Sequence, residues 1–180
     1  MGLRRTGRFV ALLFLGSIGF MGLASPLFAA APLVATPLSV VLAAEQPPPG
    51  VVFEIVDRDE AALKQALPWV AKAAGQLRER FPQLPMAVVS HGREMFALKE
   101  SARSENGDVH DLAQRLGQEQ GIPIHVCETH AGWRGVVPED FPKYIDVAPA
   151  GPVQIRNYLD LGYVLVKAPR TTTTGLPSTP

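Results

Sequence analysis

The chain has 180 residues, with 17 basic and 17 acidic side chains and a formal net charge of zero. No segment concentrates lysine and arginine, which excludes a nucleic-acid-binding surface, because such surfaces are strongly basic. A single cysteine, Cys127, excludes an internal disulfide.

Residues 1–44 are predicted to be a signal peptide. Arg4, Arg5 and Arg8 form a charged start, and residues 9–24 form an apolar stretch interrupted only by glycine and serine. The stretch is about long enough to span a bilayer, so an uncleaved membrane anchor is the alternative. The prediction is therefore a periplasmic or secreted protein, which contacts a membrane only if the segment stays uncleaved.

Cleavage is predicted near Ala44, just before the polar pair Glu45-Gln46. Ala29-Ala30-Ala31 has the required small residues, but Pro32 is a poor first residue of a mature chain. Removal of residues 1–44 leaves 14 basic against 17 acidic residues, a net charge of −3. A mildly acidic protein is again a poor partner for nucleic acid.

The remaining chain is predicted to contain one domain, at residues 51–168. Residues 45–50 (E-Q-P-P-P-G) form a stiff proline-rich leader, since consecutive prolines have no backbone donors for a sheet. Residues 169–180 have no hydrophobic periodicity and are predicted to be a disordered tail. About 120 residues are enough for a single hydrophobic core.

The first half of the domain alternates strands and helices. Residues 51–56 (V-V-F-E-I-V) and 86–89 are apolar runs typical of buried strands. Asp57 and Asp59 are candidate N-caps for the helix between these strands, and Pro68 predicts a kink or a fresh helix start inside it. One face of that helix is apolar at steps of three and four: Leu63, Leu67, Val70, Ala74, Leu77 and Phe81.

The middle of the domain continues the alternation. A short helix is predicted around residues 94–99, followed by a third helix that Asp108 caps and Gly121 ends. The β-branched residues of the segment 122–126 then predict a buried strand leading into Cys127.

The last part predicts one helical turn at residues 138–141, a fourth strand at 144–147 and a fifth at 163–166. Between the last two strands, Gly151-Pro152 opens a helix that Gly162 ends. Strands that alternate with helices predict an α/β domain with a mostly parallel sheet and helices on both faces.

Cys127 is the leading candidate for a reactive group. It lies at the end of a predicted strand and before a helix start, where backbone N–H groups and the helix dipole favour a thiolate. The alternative is that Cys127 is a small core residue, because free cysteines are among the most buried residue types.

Ligands of parallel α/β sheets bind outside the carboxyl ends of the strands. His91, Cys127 and the turn at Gly151 all follow predicted strands there, and His130 lies three residues beyond the cysteine. A protonated histidine beside Cys127 stabilises the thiolate. His110 and His125 are better explained as ordinary polar residues.

The Cys127-x-x-His130 spacing, with His91 added, also allows a metal-binding interpretation. Structural zinc sites generally need four protein ligands, usually with more cysteine. The motif lacks the second cysteine of a haem attachment site. We therefore predict neither a metal nor another cofactor.

Three ordered motifs resemble the DsrE/TusD group of sulfur-relay proteins. They are V-V-S-H-G-R-E at residues 88–94, V-C-E-T-H-A-G-W-R-G-V at 126–136, and the closing V-A-P-A-G-P-V-Q-I-R-N-Y-L-D-L-G-Y at 147–163. The resemblance covers most of residues 51–167. It implies a single flavodoxin-like domain, a homo-oligomer (a trimer or a hexamer), and a Cys127 that accepts sulfur as a persulfide.

The resulting functional prediction is an exported sulfur carrier or sulfurtransferase component. Cys127 attacks a sulfur donor, either a protein or a small sulfur compound, and passes the sulfur to an acceptor by thiol exchange. His130 and Arg134 are the predicted helpers of Cys127, and His91, Gly92 and Gly151 are predicted to bind substrate. The alternatives are a small-molecule or metal-binding module at the same edge, and a non-catalytic oligomer with a buried thiol.

Overall fold

The structure is a computed structural model that describes Gly2 and residues 33–171. The chain divides into two units, Met1–Ala31 and Pro32–Pro180. The predicted charged start and apolar stretch of the signal peptide lie outside the described residues. Among the helices of residues 33–171, none combines the length and the hydropathy needed to cross a bilayer.

A five-stranded sheet forms the centre of the second unit, and every neighbouring pair of strands is parallel. Its order is β4-β3-β2-β1-β5. The first two strands are buried at every residue, as expected of continuous apolar runs covered on both faces. The strands are β1 Val51–Ile55, β2 Met86–Ser90, β3 Ile124–Cys127, β4 Asp146–Ala148 and β5 Val164–Lys167.

Helices cover both faces of the sheet, which confirms the predicted α/β architecture. The larger core cluster joins one sheet face to α1, α2 and α3, and the smaller cluster joins Val52, Val89 and Leu165 to Ile155 of α5 on the other face. The helices are α1 Leu38–Ala43, α2 Leu63–Arg80, α3 Gly107–Gln114, α4 Glu128–Gly132 and α5 Gly151–Asp160. Short 3-10 turns occupy Glu60–Ala62, Arg93–Leu98, Glu100–Ala102 and Pro138–Asp140, and a π turn, Arg115–Glu119, extends α3.

Pro68 lies inside the helix that follows β1. Helix α2 continues through Pro68 without interruption, so the predicted fresh start there is wrong. Pro68 lies on the exposed face, where water can replace the backbone hydrogen bond that proline cannot donate. Asp59 caps the 3-10 turn Glu60–Ala62 that leads into α2, because its Oδ1 accepts the Ala61 N–H at 2.9 Å, whereas the N-cap residue of α2 itself is Ala62.

Two other boundaries differ from the sequence prediction. Asn106, not Asp108, is the N-cap residue of α3, and Asp108 lies in the first turn, where a carboxylate still interacts favourably with the helix dipole. Strand β4 begins at Asp146, two residues after the predicted start at Tyr144. Ile145 N–H instead donates to the Pro142 carbonyl at 2.8 Å, closing a turn before the strand.

Residues 33–44, which we assigned to the signal peptide, pack against the domain. Val41 of α1 is 4% exposed within the larger core cluster. Thr36 N–H donates to the Leu165 carbonyl of β5 at 2.7 Å, and Arg80 Nη2 donates to the Ala44 carbonyl at 3.1 Å. The described fold therefore begins upstream of the predicted boundary at Ala44.

The described chain also extends past the predicted domain end at residue 168. Thr171 donates both its N–H and its hydroxyl to Asp57 Oδ2, at 2.8 and 2.7 Å. These two bonds tie the segment after β5 to the loop after β1. Residues 172–180 of the predicted tail lie outside the described residues.

Candidate functional site

A cavity of about 780 Å³ lies at the carboxyl edge of the sheet. It brings together four residues of the predicted site, Cys127, His130, His91 and Gly92, because β2 and β3 end side by side at this edge. The other residues that line it are Val56, Asp57, Arg58, Arg93, Thr129, Trp133, Ala150, Pro152, Arg170 and Thr171.

Cys127 is the last residue of β3 and the N-cap of α4. Its Sγ accepts the His130 backbone N–H at 3.4 Å, and the residue is 5% exposed. The thiol thus packs with the core and also forms part of the cavity wall. A sulfur that already accepts an N–H is well placed to carry negative charge.

The ring of His130 has one fixed tautomer when it is neutral. Its Nδ1 lies 2.8 Å from the His91 carbonyl oxygen, and a carbonyl can only accept, so Nδ1 carries the proton. Nε2 is then the nitrogen that can take up a proton. Phe96 and Trp133 flank the ring, with ring centroids 5.4 and 5.6 Å away.

His91 is held by a buried carboxylate that the sequence analysis missed. Glu54 of β1 is 5% exposed, and its Oε1 lies 2.8 Å from His91 Nε2. Lys167 of β5 places its Nζ 3.0 Å from the other oxygen, Oε2. Burial raises the pKa of Glu54, but the hydrogen bonds and charges of His91 and Lys167 outweigh it and bring that pKa below its usual range.

His91 Nε2–H donates a hydrogen bond to the ionised Glu54, so the unprotonated nitrogen of the neutral ring is Nδ1. A charged residue inside the otherwise apolar run V-V-F-E-I-V was the sequence signal that could have identified Glu54.

Gly151 does not line the cavity. A Cβ at Gly151 would overlap the His91 side chain, so this glycine lets α5 approach the histidine closely.

Glu94 organises the loop that carries His91 and Gly92. Its carboxylate accepts the Asp57 N–H at 2.7 Å, the Ser90 hydroxyl at 2.7 Å and the Gly92 N–H at 3.0 Å. Burial raises the pKa of Glu94 above its usual range despite these bonds. Gly92 has no room for a Cβ between Glu94 and the Asp57 backbone, which explains the glycine at this position.

Arg134 does not line the cavity, although the sequence analysis placed it with Cys127. Its guanidinium lies over the Phe96 ring, 5.4 Å from the centroid, and 4.0 Å from a carboxylate oxygen of Glu60. The arginines that do line the cavity are Arg58, Arg93 and Arg170. Arg170 belongs to the predicted tail, which sequence periodicity gave no reason to place near the site.

The other two histidines lie outside the cavity lining. His110 is buried, with its ring nitrogens 2.6 Å from the Tyr144 hydroxyl and 3.0 Å from the Ala97 carbonyl oxygen. His125 Nε2 lies 2.8 Å from the Tyr158 hydroxyl. Across residues 33–171, no group of three or more histidine, cysteine or acidic side chains could hold a metal ion.

Two solved structures share the architecture of this chain. The protein of unknown function MTH1491 from Methanobacterium thermoautotrophicum matches with a TM-score of 0.51 and 21% identity, over 65% of this chain and 96% of that one. The ychN protein from E. coli matches with a TM-score of 0.51 and 13% identity, over 66% of this chain and 98% of that one. No family model and no curated protein sequence matches the chain.

The parallel sheet, the helices on both faces and the cavity at the carboxyl edge define an α/β protein of the flavodoxin-like kind. More particularly, the chain has the DsrE-like fold that ychN and MTH1491 also have. The fold expected from the three motifs is therefore confirmed.

Proposed function

We propose that this protein is a sulfur carrier or sulfurtransferase component that works through a persulfide on Cys127. The observation that supports this proposal is the position of the thiol. Cys127 lies in the wall of a cavity that also contains two histidines, each with one nitrogen that can accept a proton. A thiol that served only as a core residue would not need this setting.

The proposed transfer has two steps. In the first, the Cys127 thiolate attacks the sulfane sulfur of a donor, a new S–S bond forms, and the donor's leaving group departs with the electron pair of the broken bond. In the second, an acceptor thiolate attacks the outer sulfur of the persulfide, and Cys127 leaves again as a thiolate. No external oxidant or reductant is needed.

The proton of the Cys127 thiol needs an acceptor before the attack. Nε2 of His130 and Nδ1 of His91 are the two candidate proton acceptors, since the other nitrogen of each ring carries a proton and donates a hydrogen bond. We favour His130, because its own backbone N–H already contacts the sulfur. The His130→Ala variant should react about tenfold more slowly with iodoacetamide at neutral pH, a modest general-base effect.

The matched control for this measurement is His125→Ala, which removes a histidine that does not line the cavity. It should leave the alkylation rate close to that of the unmodified protein. Equal rates for His130→Ala and the unmodified protein would show that the backbone contact alone activates Cys127.

Intact mass spectrometry tests the proposal as a whole. Incubation with polysulfide should add the mass of one sulfur atom to the protein, and Cys127→Ser should abolish the addition while the fold is kept, because serine is nearly isosteric. The alternative of a non-catalytic buried thiol has its own support, since Cys127 is 5% exposed. That alternative is correct if Cys127 reacts with iodoacetamide only in denaturant.

We also propose that the protein acts outside the cytoplasm, on the basis of the charged and apolar N-terminal sequence. The donor and the acceptor would then be small sulfur compounds or exported proteins. Cell fractionation followed by immunoblotting tests this, and recovery of the protein in the cytoplasm alone would refute it.

A further inference from the structure

The charge lining the cavity is mostly positive. Arg58, Arg93 and Arg170 contribute three guanidinium groups, and Asp57 is the one carboxylate among the lining residues. That carboxylate is already engaged, because its oxygens accept the Asp59 N–H at 3.0 Å and both donors of Thr171 at 2.8 and 2.7 Å. These donors are neutral and leave the negative charge of Asp57 in place, so the lining side chains carry three positive charges against one negative charge.

Two of these arginines have no partner within residues 33–171. The side chains of Arg58 and Arg170 form neither a hydrogen bond nor an ion pair with any described residue, whereas Arg93 Nη2 lies 3.0 Å from the Glu60 carboxylate. A guanidinium presents planar pairs of N–H donors that match the oxygens of an oxyanion. Since both side chains line the cavity, their unused donors are available to a bound ligand.

The segment after β5 positions one of the two. Arg170 directly precedes Thr171, whose N–H and hydroxyl both donate to Asp57. Asp57 in turn directly precedes Arg58 in the chain. The two unpaired arginines thus come from opposite ends of the domain sequence and meet in the same cavity as Cys127.

We propose that the sulfur donor for this site is an oxyanion of the thiosulfate type, in which the transferred sulfur is bonded to a sulfonyl group. This inference rests on the proposed function of Cys127. The arginines bind the sulfonate oxygens, and the cysteine thiolate attacks the terminal sulfur. Polysulfide, a competing donor class, carries negative charge but no oxygen atoms for a guanidinium to bind in a forked geometry.

The chemistry of this step balances. The bond between Cys127 Sγ and the terminal sulfur forms as the S–S bond of thiosulfate breaks, and sulfite leaves with the electron pair. One thiolate and one thiosulfate dianion become one persulfide anion and one sulfite dianion, so the total charge is unchanged. Negative charge accumulates on the departing sulfite, where Arg58 and Arg170 stabilise it.

The test compares two donors on the purified protein. Mass spectrometry follows the rate at which Cys127 gains one sulfur from thiosulfate and from polysulfide, in the unmodified protein and in Arg58→Gln, Arg170→Gln and Arg115→Gln. Arg115, on the π turn after α3, is an exposed arginine outside the cavity lining and serves as the matched control.

We expect Arg58→Gln and Arg170→Gln each to lower the ratio of the thiosulfate rate to the polysulfide rate about tenfold, the loss expected for one charged hydrogen bond near the surface. Arg115→Gln should leave the ratio unchanged. Sulfite should also protect Cys127 from iodoacetamide, and the two cavity variants should weaken that protection.

Each other outcome is decisive. Loading from polysulfide but not from thiosulfate would overturn this inference and leave the proposed function of Cys127 standing. If the ratio of the thiosulfate rate to the polysulfide rate is the same in all three variants, the arginines do not bind the donor. If neither donor loads Cys127, the proposed function fails, and the inference fails with it.

Discussion

A single buried carboxylate, Glu94, determines the shape of the loop that carries His91 and Gly92. Three donors from two different strand ends converge on it: the N–H groups of Asp57 and Gly92 and the hydroxyl of Ser90. A neutral amide has one acceptor oxygen in place of two and adds donors of its own, so glutamine cannot satisfy the same three groups.

Glu94→Gln should therefore destabilise the protein by about 1–3 kcal/mol, the cost of leaving a buried donor without a partner. Urea denaturation followed by circular dichroism measures this change. Glu139→Gln, which alters an exposed glutamate on a short 3-10 turn, is the matched control and should leave the midpoint unchanged. Equal stability of the two variants would show that water replaces the lost acceptor.

The residues of the site were only partly predictable from the sequence. Cys127 is the last residue of β3 and His91 directly follows β2, and these positions alone indicate the carboxyl edge of a parallel sheet. Glu54 was missed because one glutamate in an apolar run was interpreted as part of an ordinary buried strand. Arg58 and Arg170 were missed because only the three-dimensional contact between Thr171 and Asp57 brings their segments together.

At the scale of elements, the sequence predicted strands best where they are buried on both faces. The apolar runs of β1 and β2 were enough to predict both the strand conformation and the strand boundaries to within one residue. The edge strand β4 is short and half-exposed, so its boundary depends on the preceding turn at residues 142–145, which local pattern does not specify. In the same way, the apolar residues of α1 were assigned to the signal peptide, because hydrophobicity does not distinguish a targeting segment from a core helix.

The packing of helix α1 on the domain can be tested with two adjacent valines, one buried and one exposed. Val41 is 4% exposed and lies in the larger core cluster, whereas the adjacent Val40 is 56% exposed. Val41→Ala should lower the free energy of unfolding by about 1.5 kcal/mol, because two buried methyl groups are lost, and Val40→Ala should change it little. Urea denaturation of both variants measures the difference, and equal effects would mean that α1 does not pack on the domain.

The contacts of α1 also change the expected processing site. Cleavage after Ala44 would remove Val41 from the core and the Thr36 hydrogen bond from β5. If the chain is exported, we now expect cleavage next to Ala29-Ala30-Ala31, upstream of these contacts. N-terminal sequencing of the mature protein tests this expectation, and a first residue of Glu45 would contradict it.

The oligomeric state remains a prediction for the whole molecule. The resemblance to the DsrE/TusD group led us to expect a trimer or a hexamer, and two large apolar side chains near α4 are exposed, Trp133 at 79% and Val137 at 50%. Burial of such side chains between copies would contribute to association. Light scattering on the purified protein should give the mass of three or six chains, and the mass of one chain at micromolar concentration would refute the prediction.

The stability of the whole molecule should depend on pH through two histidines, the buried His110 and the half-buried His125. Burial lowers the pKa of His110 and of His125 below the ordinary value of about 6.5, although the Asp146 carboxylate partly offsets this effect for His125. Between the folded and unfolded pKa values the unfolded chain binds more protons, so acid favours unfolding. Stability is then complete above about pH 6.5 and falls as the pH drops through the folded-state pKa values. The lowered pKa of Glu54 causes a further loss of stability in more acidic solution. The raised pKa of Glu94 has the opposite effect, because protonation of Glu94 favours the folded state.

We therefore expect the free energy of unfolding, measured by urea denaturation, to fall as the pH is lowered from neutrality toward about 5. Its slope should be at most about 1.4 kcal/mol per pH unit for each proton taken up. His125→Gln should reduce this loss, since glutamine does not titrate. Asp146→Asn should act in the opposite direction, because it removes the carboxylate 3.9 Å from His125 Nδ1 that favours the protonated ring. The two variants should therefore change the pH dependence of the free energy of unfolding in opposite directions. A slope that both variants leave unchanged would show that His125 does not contribute to the acid sensitivity of the fold.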